Sequence, residues 1–259
     1  MAAQLEVVRE GAIATVAFNR PRKLNALTRS MWSRLGRELG ALSDDDTVRC
    51  IVLRGRGGRA FSPGNDIGEF PKYRSNVEQA RRYGAIMART LEALSTCRHP
   101  LVALIEGVCV GGGLEIAAHC DLRICGESSR FGIPVNRLGL VMSHAELRGL
   151  IELVGRPRAL EIVLEGRVFG AEEALAKGLV TRVVADAEVE REAYAAARRI
   201  AAGAPLVARW HKRFARRLAD PTPLSEAERD EGYACFATRD FQIGYRAFLA
   251  KRQPRFLGR

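Results

Sequence analysis

Three consecutive glycines, Gly111-Gly112-Gly113, precede Glu115 in a 259-residue chain. An apolar run at 101–105 reads as a buried strand before them, and a short apolar segment of helical length and another strand-like run follow. Side-chain-free backbone allows close approach to a ligand and φ values that other residues avoid. A helix starting there points unpaired N–H groups and the positive end of its dipole at whatever enters. Such a place suits a carbonyl oxygen that gains negative charge during reaction. Glu115, two residues past the last glycine, falls in the first turn, beside that atom. A carboxylate there can carry protons if burial raises its pKa toward neutrality. The helix N-terminus pulls the other way. For the glycines alone, a tight strand–helix packing corner is the plainer reading.

A second segment, Ala60-Phe61-Ser62-Pro63-Gly64-Asn65-Asp66-Ile67, follows the strand-like run Cys50-Ile51-Val52-Leu53 and also ends in turn residues. Together the two segments resemble the crotonase superfamily, also called the enoyl-CoA hydratase/isomerase family. The resemblance extends from Phe18-Asn19-Arg20-Pro21 to Ala247-Phe248-Leu249-Ala250-Lys251-Arg252, nearly the whole chain. It implies an α/β fold, a crotonase-like spiral of β-β-α units with a C-terminal helical trimerisation region. It further implies an acyl-CoA substrate and an enolate stabilised by two backbone N–H groups, by position those of Asn65 and Gly112. Glu115 matches the first of two glutamates that flank the substrate in relatives that hydrate enoyl-CoA, a lyase reaction of fatty acid metabolism. Lys23, Leu24 and Ala26 match the region beside the nucleotide part of CoA. Asn65, Asp66, Ile67 and Gly68 match the segment beside the thioester and pantetheine arm. Phe248 and Lys251 match tail positions that reach CoA on a neighbouring subunit in some relatives. Asp66 could instead cap the next turn.

The second glutamate is missing. Its family position follows a proline, and Phe131-Gly132-Ile133-Pro134-Val135-Asn136 places Val135 there, facing the substrate without a transferable proton. The alternative glutamate of many isomerases falls near Ser143. Asn136 can orient water, and Ser143, His144 and Glu146 cluster nearby. A histidine titrates in the useful range, so His144 is a candidate acid or base, with a helix-entry histidine as the alternative. His119, one turn after Glu115, could bond to it but reads better as a satisfied core histidine. Tyr73, Tyr83, Ile86, Met87 and Trp32 could line an acyl pocket, yet at helical spacing they read as core. The function expected is therefore an enoyl-CoA hydratase-like enzyme with an atypical site. A decarboxylase, isomerase or hydrolase of the same superfamily is the alternative, and methylmalonyl-CoA decarboxylase is a relative with a comparable Pro-Val-Asn. Outside enzymes, a non-catalytic acyl-CoA module or an RNA binder is the remaining class.

The elements that must position these residues follow from pattern. Gln4–Glu10 and Ala12–Asn19 alternate around Glu10-Gly11, a hairpin. Thr28 caps a helix with Met31, Trp32, Leu35, Leu39 and Leu42 on its apolar face. A strand at 48–54 and a helix at 75–96 follow. Beyond Phe131 helices are expected at 144–154, 157–164, 171–177, 186–202, 205–218 and 224–250. Gly203-Ala204-Pro205 divides an acyl-CoA-binding spiral core, 1–202, from a helical oligomerisation region, 203–259. A homotrimer or a dimer of trimers (a hexamer) is the assembly the resemblance implies.

Apolar residues make up 47% of the chain and charged residues 27%, an ordinary globular balance. No run approaches the ~20 apolar residues of a membrane helix, and no signal-like start is visible, so no membrane partner is expected. Six cysteines without a C-x-x-C pair read as reduced thiols in a cytoplasmic protein. Four histidines without metal-type spacing argue against a metal; no cofactor is expected beyond the CoA carried by the substrate. A net charge of +11 would raise the local concentration of a phosphate-bearing ligand. Arg29, Arg34 and Arg37 share a helix face that some relatives use for RNA. Here Asp44-Asp45-Asp46 follows and no aromatics interleave, so nucleic acid is not expected.

Overall fold

A computed structural model describes residues 3–259. The chain opens with a hairpin, β1 (Leu5–Glu10) and β2 (Ile13–Phe18), paired in register from Leu5↔Phe18 to Glu10↔Ile13. Helix α1 (Arg29–Asp44) follows, its first turn satisfied by Thr28, whose side chain accepts from the Met31 amide. Then the chain winds in repeats. β3 (Cys50–Gly55) and β4 (Ala60–Ser62) precede the short α2 (Phe70–Tyr73) and the long α3 (Val77–Thr96). β5 (Leu101–Ile105) and β6 (Val108–Val110) precede α4 (Gly112–Ala118). β7 (Leu122–Gly126) and β8 (Arg130–Gly132) precede α5 (His144–Glu165).

Each turn of this spiral contributes one strand to each of two sheets. The larger runs β1-β2-β3-β5-β7 and ends on β10 (Arg182–Val184), parallel beyond the opening hairpin. The smaller runs β4-β6-β8 and closes on β9 (Phe169–Gly170). Ile51–Leu53 and Leu101–Ile105 are fully buried, as parallel strands covered on both faces must be. One face packs into the main core with Trp32, Leu35, Leu39 and Leu91. The other is covered by Val189, Ala193, Ala196 and Ala197 of a later helix. This is the spiral of β-β-α units that the resemblance implied.

The remaining helices are α6 (Ala171–Ala176), α7 (Val189–Ala202), α8 (Pro205–Leu218), α9 (Glu226–Asp230) and α10 (Arg239–Leu249). Two expectations need correction. The helices at 144–154 and 157–164 join into α5 through a kink at Gly155, φ 75°, with Pro157 just beyond. The helix expected at 224–250 is three pieces: α9, a 3-10 stretch over Glu231–Ala237, and α10, restarted by the Thr238 cap. Among the described residues no helix is long and apolar enough to cross a membrane.

Candidate active site

Two chain corners meet at one point. After β4 the Ser62 hydroxyl accepts from the Gly64 amide at 3.1 Å and donates to the Asn25 carbonyl at 3.0 Å, which holds the turn. Gly64 sits at φ 97°, where a side chain would strain the backbone. Leu27 brackets the corner: its amide donates to Gly64 O at 2.8 Å and its carbonyl accepts from Asp66 N at 2.9 Å. That pairing skips Asn65. Among the described residues, the Asn65 N–H donates to no protein acceptor. The second corner follows β6. Gly112 opens α4, so its N–H has no intrahelical acceptor and, among the described residues, finds no other.

The corners touch. A Cβ added to Gly64 would lie 2.7 Å from Gly112 N, and one added to Gly112 would lie 3.7 Å from Asn65 N. Gly113 has to be glycine for the same closeness, since its Cβ would come within 2.2 Å of the Ser62 carbonyl. Trp32, fully buried on α1, ties the corners together. Its Nε1 donates to Asn65 Oδ1 at 2.6 Å, and its Cζ2 lies 3.0 Å from the Cβ position of Gly112. Two main-chain donors without a protein acceptor among the described residues thus lie side by side at the wall of one cavity, next to an indole.

Glu115 projects from the first turn of α4 into this cavity, 4% exposed, and its buried Oε2 has no partner. Burial raises its carboxyl well above the usual range, and the Glu146 carboxylate raises it further; the Arg74 guanidinium opposes them. The contest left open by sequence goes to desolvation.

The cavity encloses about 460 Å³. Ala26, Asn65, Asp66, Ile67 and Gly112 line it, as does the apolar Val135. Glu146 lines it too, on the first turn of α5, where its Oε2 accepts from the Ser143 amide at 2.6 Å in a capping box. His144 does not reach the cavity. It is exposed at the first helical position, and the acid two residues later holds the place.

Other candidates fall outside the cavity. Lys23 is exposed and Leu24 half-buried on the 3-10 turn before Ala26, Lys23 close enough to Asp66 to help hold its carboxyl ionised. Asp66 has the structural job the sequence left open. Burial alone would raise its pKa, but Arg20 at 2.9 Å and the Gly68 amide at 3.1 Å bring it below the usual value. Gly68 therefore serves the turn, not the lining. Phe248, 83% exposed, and Lys251 stand on the C-terminal segment away from this cavity. Asn136 donates to the Leu164 carbonyl at 3.0 Å and does not line this cavity. His119 makes no bond to Glu115. Its Nε2 is buried without a partner, so it is not the satisfied core histidine expected, and burial lowers its pKa to about 4. Trp32, Tyr73, Tyr83, Ile86 and Met87 do not line the cavity; Trp32, Tyr83 and Met87 are core.

Sequence reading missed Arg74 and Arg137, both cavity-lining. Arg74 ends the short α2, and no periodicity marks a residue that a loop turns inward.

The sequence model of the Enoyl-CoA hydratase/isomerase family matches residues 8–259. The short-chain-enoyl-CoA hydratase of Clostridium acetobutylicum is 31% identical over 247 residues, 95% of this chain and 94% of that one. The crotonyl-CoA hydratase of Syntrophomonas wolfei is 32% identical over 253 residues, 97% of this chain and 96% of that one. A crystal structure of an enoyl-CoA hydratase/carnithine racemase from Magnetospirillum magneticum superposes with a TM-score of 0.97 at 48% identity. It spans 100% of this chain and 97% of that one.

Proposed function

We propose that this chain, which belongs to the enoyl-CoA hydratase/isomerase family of the crotonase superfamily, is an acyl-CoA lyase of the enoyl-CoA hydratase type. One observation carries the reading: two unpaired amides, Asn65 and Gly112, converge on a cavity where Glu115 stands buried and unpartnered. Donors fixed before reaction stabilise a thioester oxygen as it becomes an enolate, typically worth ~3–4 kcal/mol per donor.

Hydration then needs one group to take a proton from water and another to give one to carbon. Burial keeps a proton on Glu115, which delivers it to Cα. Glu146, across the same cavity, accepts the proton of the water that attacks Cβ. Product release and exchange with solvent return the proton to Glu115. Incubation with but-2-enoyl-CoA, followed by loss of the conjugated thioester absorbance, tests this. Hydration well above background is expected; a folded, CoA-binding protein without it would refute the hydratase assignment.

Val135 favours one second reading, decarboxylation of a malonyl-type thioester, in which loss of CO₂ makes the enolate without a base. Ala26 and Ile67, which line the cavity, and Lys23 and Leu24 on the adjoining turn are the residues we assign to the CoA arm, and no cofactor beyond that CoA is called for. The assembly we infer is a homotrimer or dimer of trimers. The apolar exposure of Tyr233, Phe236, Phe248 and Leu249 near the C-terminus supports it, with Phe248 and Lys251 reaching a neighbouring subunit's CoA. A cytoplasmic location is supported by five free, buried cysteines.

A further inference from the structure

Arg74 is an arginine with nothing to do inside the protein. It is half-buried and lines the reaction cavity. Among the described residues its side chain pairs with no carboxylate, and none of its N–H donors reaches a protein acceptor. The neighbouring acids are otherwise placed: Asp66 pairs with Arg20, and Glu69 accepts from the Arg29 amide at 2.6 Å. The guanidinium carbon instead lies over two aromatic rings, 4.9 Å from the Phe70 ring centroid and 5.0 Å from that of Tyr83. These cation–π contacts engage the guanidinium without using its N–H donors, a fork suited to a carboxylate.

Its place in the cavity identifies the anion. Arg74 lines the same cavity as Glu115, the group that stands beside the acyl carbons in the reading above. The phosphates of CoA are at the other end of the pantetheine arm. An alkyl acyl chain closing over Arg74 would strip water from five donors and return nothing, which is costly for an ion. A second unpaired arginine, Arg137, lines the exposed rim and adds to the positive field.

The geometry points to Arg74 as the receptor for a carboxylate on the acyl group, so that the site takes acyl-CoA thioesters with an anionic acyl part. This rests on the acyl-CoA reading above. It deepens that reading by substrate class and adds a specificity-determining residue. The carboxylate could sit at the far end of the acyl chain or directly on the α-carbon.

Calorimetric binding of saturated pairs, which have no double bond to hydrate, tests it without requiring turnover, with malonyl-CoA checked for CO₂ release during the titration. Glutaryl-CoA is compared with 5-methylhexanoyl-CoA for a distal carboxylate, and malonyl-CoA with 3-methylbutanoyl-CoA for an α-carboxylate. The isopropyl end copies the carboxylate's shape without its charge. Wild-type protein is expected to prefer the anionic member of at least one pair by about tenfold or more, and that pair locates the carboxylate. Arg74→Gln should abolish the preference and Arg74→Lys keep part of it. Binding of neutral and anionic members alike in both pairs, or a preference untouched by Arg74→Gln, overturns the assignment of Arg74 alone. Binding of no acyl-CoA overturns the acyl-CoA reading with it.

Discussion

The indole N–H of Trp32 donates to the Asn65 side-chain oxygen at 2.6 Å, while the main-chain N–H of the same asparagine is left without a partner. The side chain is anchored so that the amide can serve a ligand. Trp32→Phe should remove that anchor and leave most of the apolar bulk. Misplacing a donor by about an ångström can cost 10²-fold, so kcat for hydration should fall about 10- to 100-fold. KM should change little, because the tether acts on the transition state. Steady-state kinetics with circular dichroism as the folding control would check it; a change in KM alone would count against the tether.

Gly112→Pro deletes the second donor at a first helical position, where proline is otherwise tolerated. Turnover should drop about 10²- to 10³-fold. Gly112→Ala keeps the N–H but sets a methyl 3.0 Å from Trp32 Cζ2, so a smaller loss is expected. Equal rates for the proline variant and wild type would remove Gly112 from the site.

Glu115 predicts a linkage between function and stability. Its folded pKa is raised by burial and by Glu146 above the ordinary ~4.3. Between those two values the folded state keeps a proton that the unfolded state releases, so stability falls as pH rises through that window. Glu115→Gln, a mimic of the protonated form, should flatten that slope and raise Tm at neutral pH by about 2 °C or more. It should also abolish hydration and the rate limb that titrates above the usual carboxylate range. Thermal melts at a series of pH values rising from the ordinary carboxylate range and a pH–rate profile read both effects.

Glu146 and Val135 form a matched pair of tests, since both line the cavity where a second carboxylate is needed. Glu146→Gln should lower hydration about 10²-fold or more, at a cost in stability from the altered capping box. Carbon dioxide release from a malonyl-type thioester should survive far better, because that route needs no base. Adding Val135→Glu to Glu146→Gln should return part of the hydration. Hydration left intact in Glu146→Gln would place the second proton carrier elsewhere.

Much of this was legible before any coordinates. Fully buried strands such as Leu101–Ile105 are written as unbroken apolar runs, and the cap at Thr28 announces its helix. The two corners were legible because their geometry demands glycine, at Gly64 for its φ and at Gly113 for its contact with Ser62. What stayed hidden depends on inward or outward facing in irregular segments. His144 and Glu146 are two residues apart at one helix start, and only the rotation of that helix decides which meets the cavity. Arg74 lies in a short connection with no period to read. The sign of the Glu115 shift was equally out of reach, because it depends on how completely water is excluded.

The most direct test is the carbonyl stretch of an enoyl thioester bound to Glu115→Gln, a variant that should hold the substrate unreacted, measured by difference infrared spectroscopy. Two amides pulling on one oxygen predict a band displaced to lower frequency than in free but-2-enoyl-CoA, with the displacement largely lost when Gly112→Pro is added. A bound carbonyl at the free-solution frequency, in a protein that is folded and occupied, would contradict the convergence of Asn65 and Gly112 on the substrate.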